Sequence, residues 1–84
     1  MGDKKPVGAI THYFTKIGVA VIELSAKVNE GDDISIEGAT TNISQKLDSM
    51  QIDHKPVKTA GKGQSIGIRV VDRVREGDDV FLVK

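Results

Sequence analysis

The chain has 84 residues, with twelve Lys and Arg against twelve Asp and Glu, two His and no Cys. That length supports one domain with a small core; the lack of Cys excludes disulfides and cysteine-based zinc sites, and two His alone make a poor metal site. No run approaches the ~20 apolar residues that a membrane span requires, and the opening MGDKKPVG lacks an apolar signal segment, so a cytoplasmic domain is expected.

Aliphatic usage sets the fold class. Ten Val and nine Ile stand against three Leu and five Ala, and branching at Cβ favours pleated strands over helices. Residues 1–6 are expected as a flexible N-terminal tail and residues 7–84 as a single β-barrel domain. The first predicted strand covers residues 7–14. A second covers 17–24, where Ile17, Val19 and Val21 alternate with small or polar residues. A turn over 28–33 leads to the alternating Ile34-Ser35-Ile36, and residues 38–42 turn the chain again. Through 43–53 the apolar spacing changes parity, from Ile43/Leu47 to Met50/Ile52, which predicts a bulge or bend near Asp48-Ser49. Beyond Pro56-Val57 and a turn at Gly61-Lys62-Gly63, Ile66, Ile68 and Val70 alternate, and Val80 and Leu82 mark the last strand. About six short strands with no long helical segment predict an all-β domain, a small six-stranded antiparallel or Greek-key closed barrel.

One stretch is echoed. Val28-Asn29-Glu30-Gly31-Asp32-Asp33-Ile34-Ser35-Ile36 is matched by Val74-Arg75-Glu76-Gly77-Asp78-Asp79-Val80-Phe81-Leu82. Gly31 and Gly77 supply the positive φ of a tight turn, and the acids bond nearby amides. The acids lack the alternating oxygen spacing and distal Glu of a calcium loop, so no metal is expected.

Catalytic signatures are weak. Around Gly61-Lys62 a phosphate loop would need an upstream Gly where Pro56 stands, and a Ser or Thr where Gly63 follows Lys62. His12 and His54 neighbour no Ser or Thr at nucleophile–base spacing, and Asp53, beside His54, would point to the opposite face of a strand. Both histidines are expected on the surface or rim, and neither enzyme activity nor a cofactor is expected.

Charge is more informative. Residues 54–75 carry six cations (Lys55, Lys58, Lys62, Arg69, Arg73 and Arg75) against one acid, Asp72, a local balance of +5 in a neutral chain. Such lopsidedness offers a basic face to phosphate or to an acidic partner, or else consists of Lys residues guarding strand edges. Tyr13, Phe14 and Phe81 are too few for a surface that stacks single-stranded bases.

Ser49-Met50-Gln51, His54-Lys55-Pro56-Val57 and Ala60-Gly61-Lys62-Gly63-Gln64-Ser65-Ile66-Gly67-Ile68 resemble, in their order, the second domain of translational GTPases such as elongation factor Tu. The two Gly-Asp turns, residues 7–14 and Ile17-Gly18-Val19-Ala20-Val21 fit the same pattern. His12-Tyr13-Phe14, Lys16-Ile17-Gly18-Val19-Ala20-Val21 and Met50-Gln51-Ile52 with His54-Lys55-Pro56-Val57 are also similar to the C-terminal barrel of collagenase-like peptidase family proteins. The resemblance implies a Greek-key barrel that binds rather than catalyses. With no GTPase domain in this chain, nucleotide binding does not carry over. The expectation is therefore a non-catalytic module contacting RNA or a ribonucleoprotein through Lys55, Lys58, Lys62, Arg69, Arg73 and Arg75, with His12 and His54 at the rim. The alternative is a barrel docking on a separately encoded peptidase-like or GTPase protein through an exposed edge strand such as residues 7–14. No membrane contact is expected.

Overall fold

A chain rich in β-branched residues forms ten strands among the described residues, in chain order: β1 Lys4–Phe14, β2 Val19–Leu24, β3 Val28–Asn29, β4 Asp33–Glu37, β5 Asn42–Lys46, β6 Met50–Ile52, β7 Lys55–Val57, β8 Thr59–Ala60, β9 Ser65–Arg69 and β10 Asp79–Val83. The computed structural model describes residues 4–83; residues 1–3 of the expected tail, and Lys84, lie outside the described residues. Eight strands form one sheet in the order β5-β4-β10-β1-β2-β9-β6-β7, and β3 pairs with β8 in a second, small sheet. All pairings are antiparallel. The inward side chains make a single apolar core, with Ile22, Ile36, Ile66 and Val80 almost fully buried.

The all-β, antiparallel expectation holds, with the number of strands corrected. Ten strands replace six, because two- and three-residue strands carry too few side chains to show a period. No backbone ladder closes a barrel, since the order runs from β5 to β7 with both ends open. The sheet nonetheless curls. β5 and β9 are five places apart in the order, ~24 Å if flat. Yet the Gln45 side chain of β5 donates to Arg69 O at 2.8 Å and accepts from Val71 N at 3.0 Å, just past β9. A side chain, not a ladder, clasps the β5 edge to the end of β9.

The predicted bend near Asp48-Ser49 is where the chain leaves β4, β5's partner, to pair as β6 with β9. Two other expectations fail. Lys4, Lys5 and Pro6, expected in the tail, pair with Val83, Leu82 and Phe81. Residues 7–14, expected as an exposed edge, lie in β1, which is hydrogen-bonded to β10 on one side and β2 on the other. The end strands are β5 and β7. On β7, Lys55 and Pro56 blunt the edge with a charge and a missing N–H.

The echoed segments are structural equivalents. Asn29 N donates to Asp32 Oδ2 and Arg75 N to Asp78 Oδ2, both at 2.8 Å. Gly31 N donates to Leu47 O, and Leu47 N to Asp32 O; Gly77 N donates to Ile10 O, and Ile10 N to Asp78 O. Each Gly-Asp pair thus clamps the backbone of one buried aliphatic residue, Leu47 or Ile10. The strands that follow, β4 and β10, pair with each other: Ile34 opposes Leu82 and Ile36 opposes Val80, a local two-fold centred on Ser35 and Phe81. Gly31 and Gly77 carry the expected positive φ, 92° and 90°.

Lys4 and the Ser35 hydroxyl both donate to Glu37 Oε2. The Lys4 hydrogen bond first, then that of Ser35, holds the Glu37 carboxyl below its ordinary value against a small opposing effect of burial. A carboxyl depressed in the folded state stabilises the fold above the unfolded value of 4.5 and loses that contribution as pH falls through the lower folded value. A carboxyl-carbon NMR titration is expected to place the Glu37 midpoint under that of an exposed Glu, and Lys4→Ala should raise it part of the way back, the Ser35 hydrogen bond remaining. An unchanged midpoint in the variant would remove this account.

Candidate functional site

The register divides the six sequence-predicted cations between two ends of the molecule. Val19 opposes Arg69 and Glu23 opposes Ser65, so the β2–β9 pair separates its two ends by roughly 13 Å. Lys62 sits in the turn where Gly63 N bonds Leu24 O, at the Ser65 end. Lys58 O accepts from Glu30 N beside β3, and Lys55 follows the β6–β7 turn, whose register continues toward Ser65. Arg69, Arg73 and Arg75 lie at the other end, around the tip of the β1–β2 hairpin. The histidines divide likewise, His12 with the arginines and His54 with the lysines.

At the lysine end, Asp53 and His54 form the two-residue β6–β7 turn, with φ of 52° and 64°. They are turn residues, not strand neighbours. Such a turn needs two left-handed residues and favours Asx followed by Gly. His54 therefore carries backbone strain of ~1 kcal/mol. His54→Gly is expected to raise stability by about 0.5 kcal/mol net, because glycine gives part of the gain back through the unfolded chain; the urea midpoint measures it.

The arginine end is assembled from three segments. Val70 N donates to Gly18 O at 3.0 Å, joining residues 70–78 to the β1–β2 tip. His12 Nδ1 lies 3.5 Å from Glu76 Oε1, and the His12 ring meets Phe14 edge-on at 4.3 Å. Tyr13 and Thr15 line one depression with Arg73 and Arg75. The β4–β5 turn, through Thr40, Thr41 and Asn42, lines another with the same two arginines and Asp72. Phe14, Ile17 and Val71, the large apolar side chains left exposed among the described residues, lie on these segments, at 45%, 62% and 73% exposure. Sequence reading missed the exposure of two of these: Ile17 continues the alternation of Val19 and Val21 but falls in the turn before β2, and Val71 steps out of phase with Ile66, Ile68 and Val70 just past β9.

A concavity runs along the Gln45 clasp, where Lys46, Asp48, Ser49 and Gln51 face Gly67, Arg69 and Val71. No His reaches it. Among the described residues, no three His, Asp or Glu side chains gather as a metal site would need.

The fold and this surface describe a small all-β domain whose distinctive feature is an exposed end rather than a pocket. Two kinds of relative are similar to the chain. The chain is 42% identical over 82 residues, 96% of its length, to an uncharacterized protease of Methanocaldococcus jannaschii. It is 39% identical over 80 residues to a collagenase of Porphyromonas gingivalis. The chain spans about a fifth of the length of the curated relatives it matches, 20% and 22%. Among solved structures it is similar to the C-terminal domain of a putative U32 peptidase of Geobacillus thermoleovorans, with a TM-score of 0.87, 15% identity and coverage of 93% of this chain and 91% of that one. The selenomethionine variant of that domain gives 0.86 at 15% identity, covering 90% and 96%. At that identity the likeness concerns the fold alone. No family model matches the chain. These relatives bear out the collagenase-like part of the expected resemblance. They lend no support to RNA binding.

Proposed function

We propose that the chain is a non-catalytic accessory domain of the collagenase-like peptidase type, which docks on peptidase-like protein instead of contacting RNA. One observation carries this reading: nearly the whole chain aligns at about 40% identity with a fifth of larger proteins named as protease and collagenase. The open concavity with no His fits a domain that leaves chemistry to another part of such a protein. Closure of the curled sheet into a barrel by the Gln45 clasp, and kinship with the translation-factor second domain, belong to the same proposal. The split of Lys55, Lys58 and Lys62 from the three arginines weakens the single basic face that RNA binding required.

The test is complementation. The Methanocaldococcus jannaschii protease lacking its matching segment is mixed with this chain, and binding is followed by analytical ultracentrifugation. A complex that survives nuclease treatment, with no gelatin hydrolysis by this chain alone, is the expected result. Absence of a complex, or hydrolysis by the isolated chain, overturns the reading.

A further inference from the structure

The chain contains three arginines, Arg69, Arg73 and Arg75, and the fold gathers all of them at the β1–β2 end, while its lysines are distributed over the whole chain. None of the three forms an ion pair among the described residues, where the pairs are Lys4–Glu37, His12–Glu76 and Lys46–Asp33. Guanidinium groups bind carboxylates through a rigid two-donor fork and are less strongly hydrated than ammonium groups, which suits them to protein interfaces. Ile17, in the β1–β2 tip that Val70 N joins through Gly18 O, and Val71, which lines the Gln45 concavity with Arg69, are the two most exposed of the large apolar side chains. Arginine is enriched at recognition surfaces, and exposed aliphatic side chains on the same end of the fold add apolar area for a partner to cover.

We infer that this end is a docking site for an acidic, aliphatic-bearing segment of a protein. Ile17 and Val71 receive its apolar side chains, and Arg73 and Arg75 its carboxylates, between the β1–β2 tip and the β4–β5 turn. The inference rests on the docking reading above and adds the place and the chemistry of the partner. Charge complementarity selects the occupant: Lys16, Arg69, Arg73 and Arg75 outnumber Asp72 and Glu76 here, and Glu76 already faces His12. A nucleic acid fits less well, because its bases need aromatic faces to stack on. The available anchors are aliphatic, and Phe14 is already engaged edge-on by His12.

The probe is a short synthetic peptide alternating Glu and Leu, titrated into the isotope-labelled chain by NMR. Amide shifts are expected at residues 15–19 and 69–76. Affinity should fall by about tenfold or more in R73E/R75E, through charge reversal, and to a similar extent in V71S. The three side chains are exposed, and retained amide dispersion confirms folding of each variant. Shifts confined to the lysine end overturn the inference. So does oligouridylate binding at residues 69–76 that V71S leaves unchanged, which would indicate an RNA surface. R73E/R75E is also run in the complementation assay. Binding unaffected by the double variant removes this site and leaves docking standing; no binding by the unaltered chain removes docking itself.

Discussion

Replacing Ile36 by Ala is expected to destabilise the fold by about 2–5 kcal/mol, the range for deleting a buried aliphatic side chain that its neighbours cannot collapse around. Ile36 is fully buried and lies between Ile43 on β5 and Val80 on β10. A chain of 84 residues has a total stability of only about 4–13 kcal/mol. The same loss lowers the melting temperature by roughly 10–30 °C in a domain of this size. Thermal unfolding of Ile36→Ala beside Val71→Ala measures it, and Val71, at 73% exposure, should shift the midpoint by little. Equal effects would mean that the core does not lie where the burial pattern puts it.

The second large effect concerns one clamp. A Cβ on Gly38 would come within 2.0 Å of Asp78 Oδ1, on the carboxylate that accepts from Arg75 N at 2.8 Å. Gly38→Ala must displace that carboxylate and is expected to cost about 1–3 kcal/mol, as overpacking does. Asp78→Ala leaves the Arg75 amide without its acceptor, at a similar cost of about 1–3 kcal/mol. Because both act through one hydrogen bond, the double variant should lose much less than the sum, a coupling readable in a double-mutant cycle of urea unfolding. Asp32→Ala, in the more exposed clamp, should cost less than Asp78→Ala. Full additivity of Gly38→Ala and Asp78→Ala would show that the two residues act separately.

Much of the fold is legible in local pattern. Ile34/Ile36 and Ile66/Ile68 reveal their strands because each pair shares the core face and a period of two is the way a strand places both there. The parity change at Leu47/Met50 marks the bend because a strand that changes partners must reset its faces. Pairing order is another matter. Nothing in residues 7–14 distinguishes a central strand from an edge, because position in a sheet is decided by partners outside the segment, β2 next along the chain and β10 at its far end. The site was legible only in part for the same reason. The cations of residues 54–75 are neighbours in sequence, but the β6–β7 turn, the turn at Gly63 and β9 carry Lys62 and Arg69 to opposite ends of one strand pair. Exposure of Ile17 and Val71 depends on what the loops leave uncovered.

The pairing of β4 with β10 carries a historical consequence. A strand that aligns antiparallel with its own repeat is self-complementary, as Ile34 with Leu82 and Ile36 with Val80 are here. A short ancestral peptide bearing one Gly-Asp loop and one such strand would meet an identical copy in that geometry, as a homodimer. Duplication and fusion of its gene would then tie both copies into one polypeptide, freeing each loop to diverge. The tighter burial of Asp78 relative to Asp32 is the kind of asymmetry such divergence leaves.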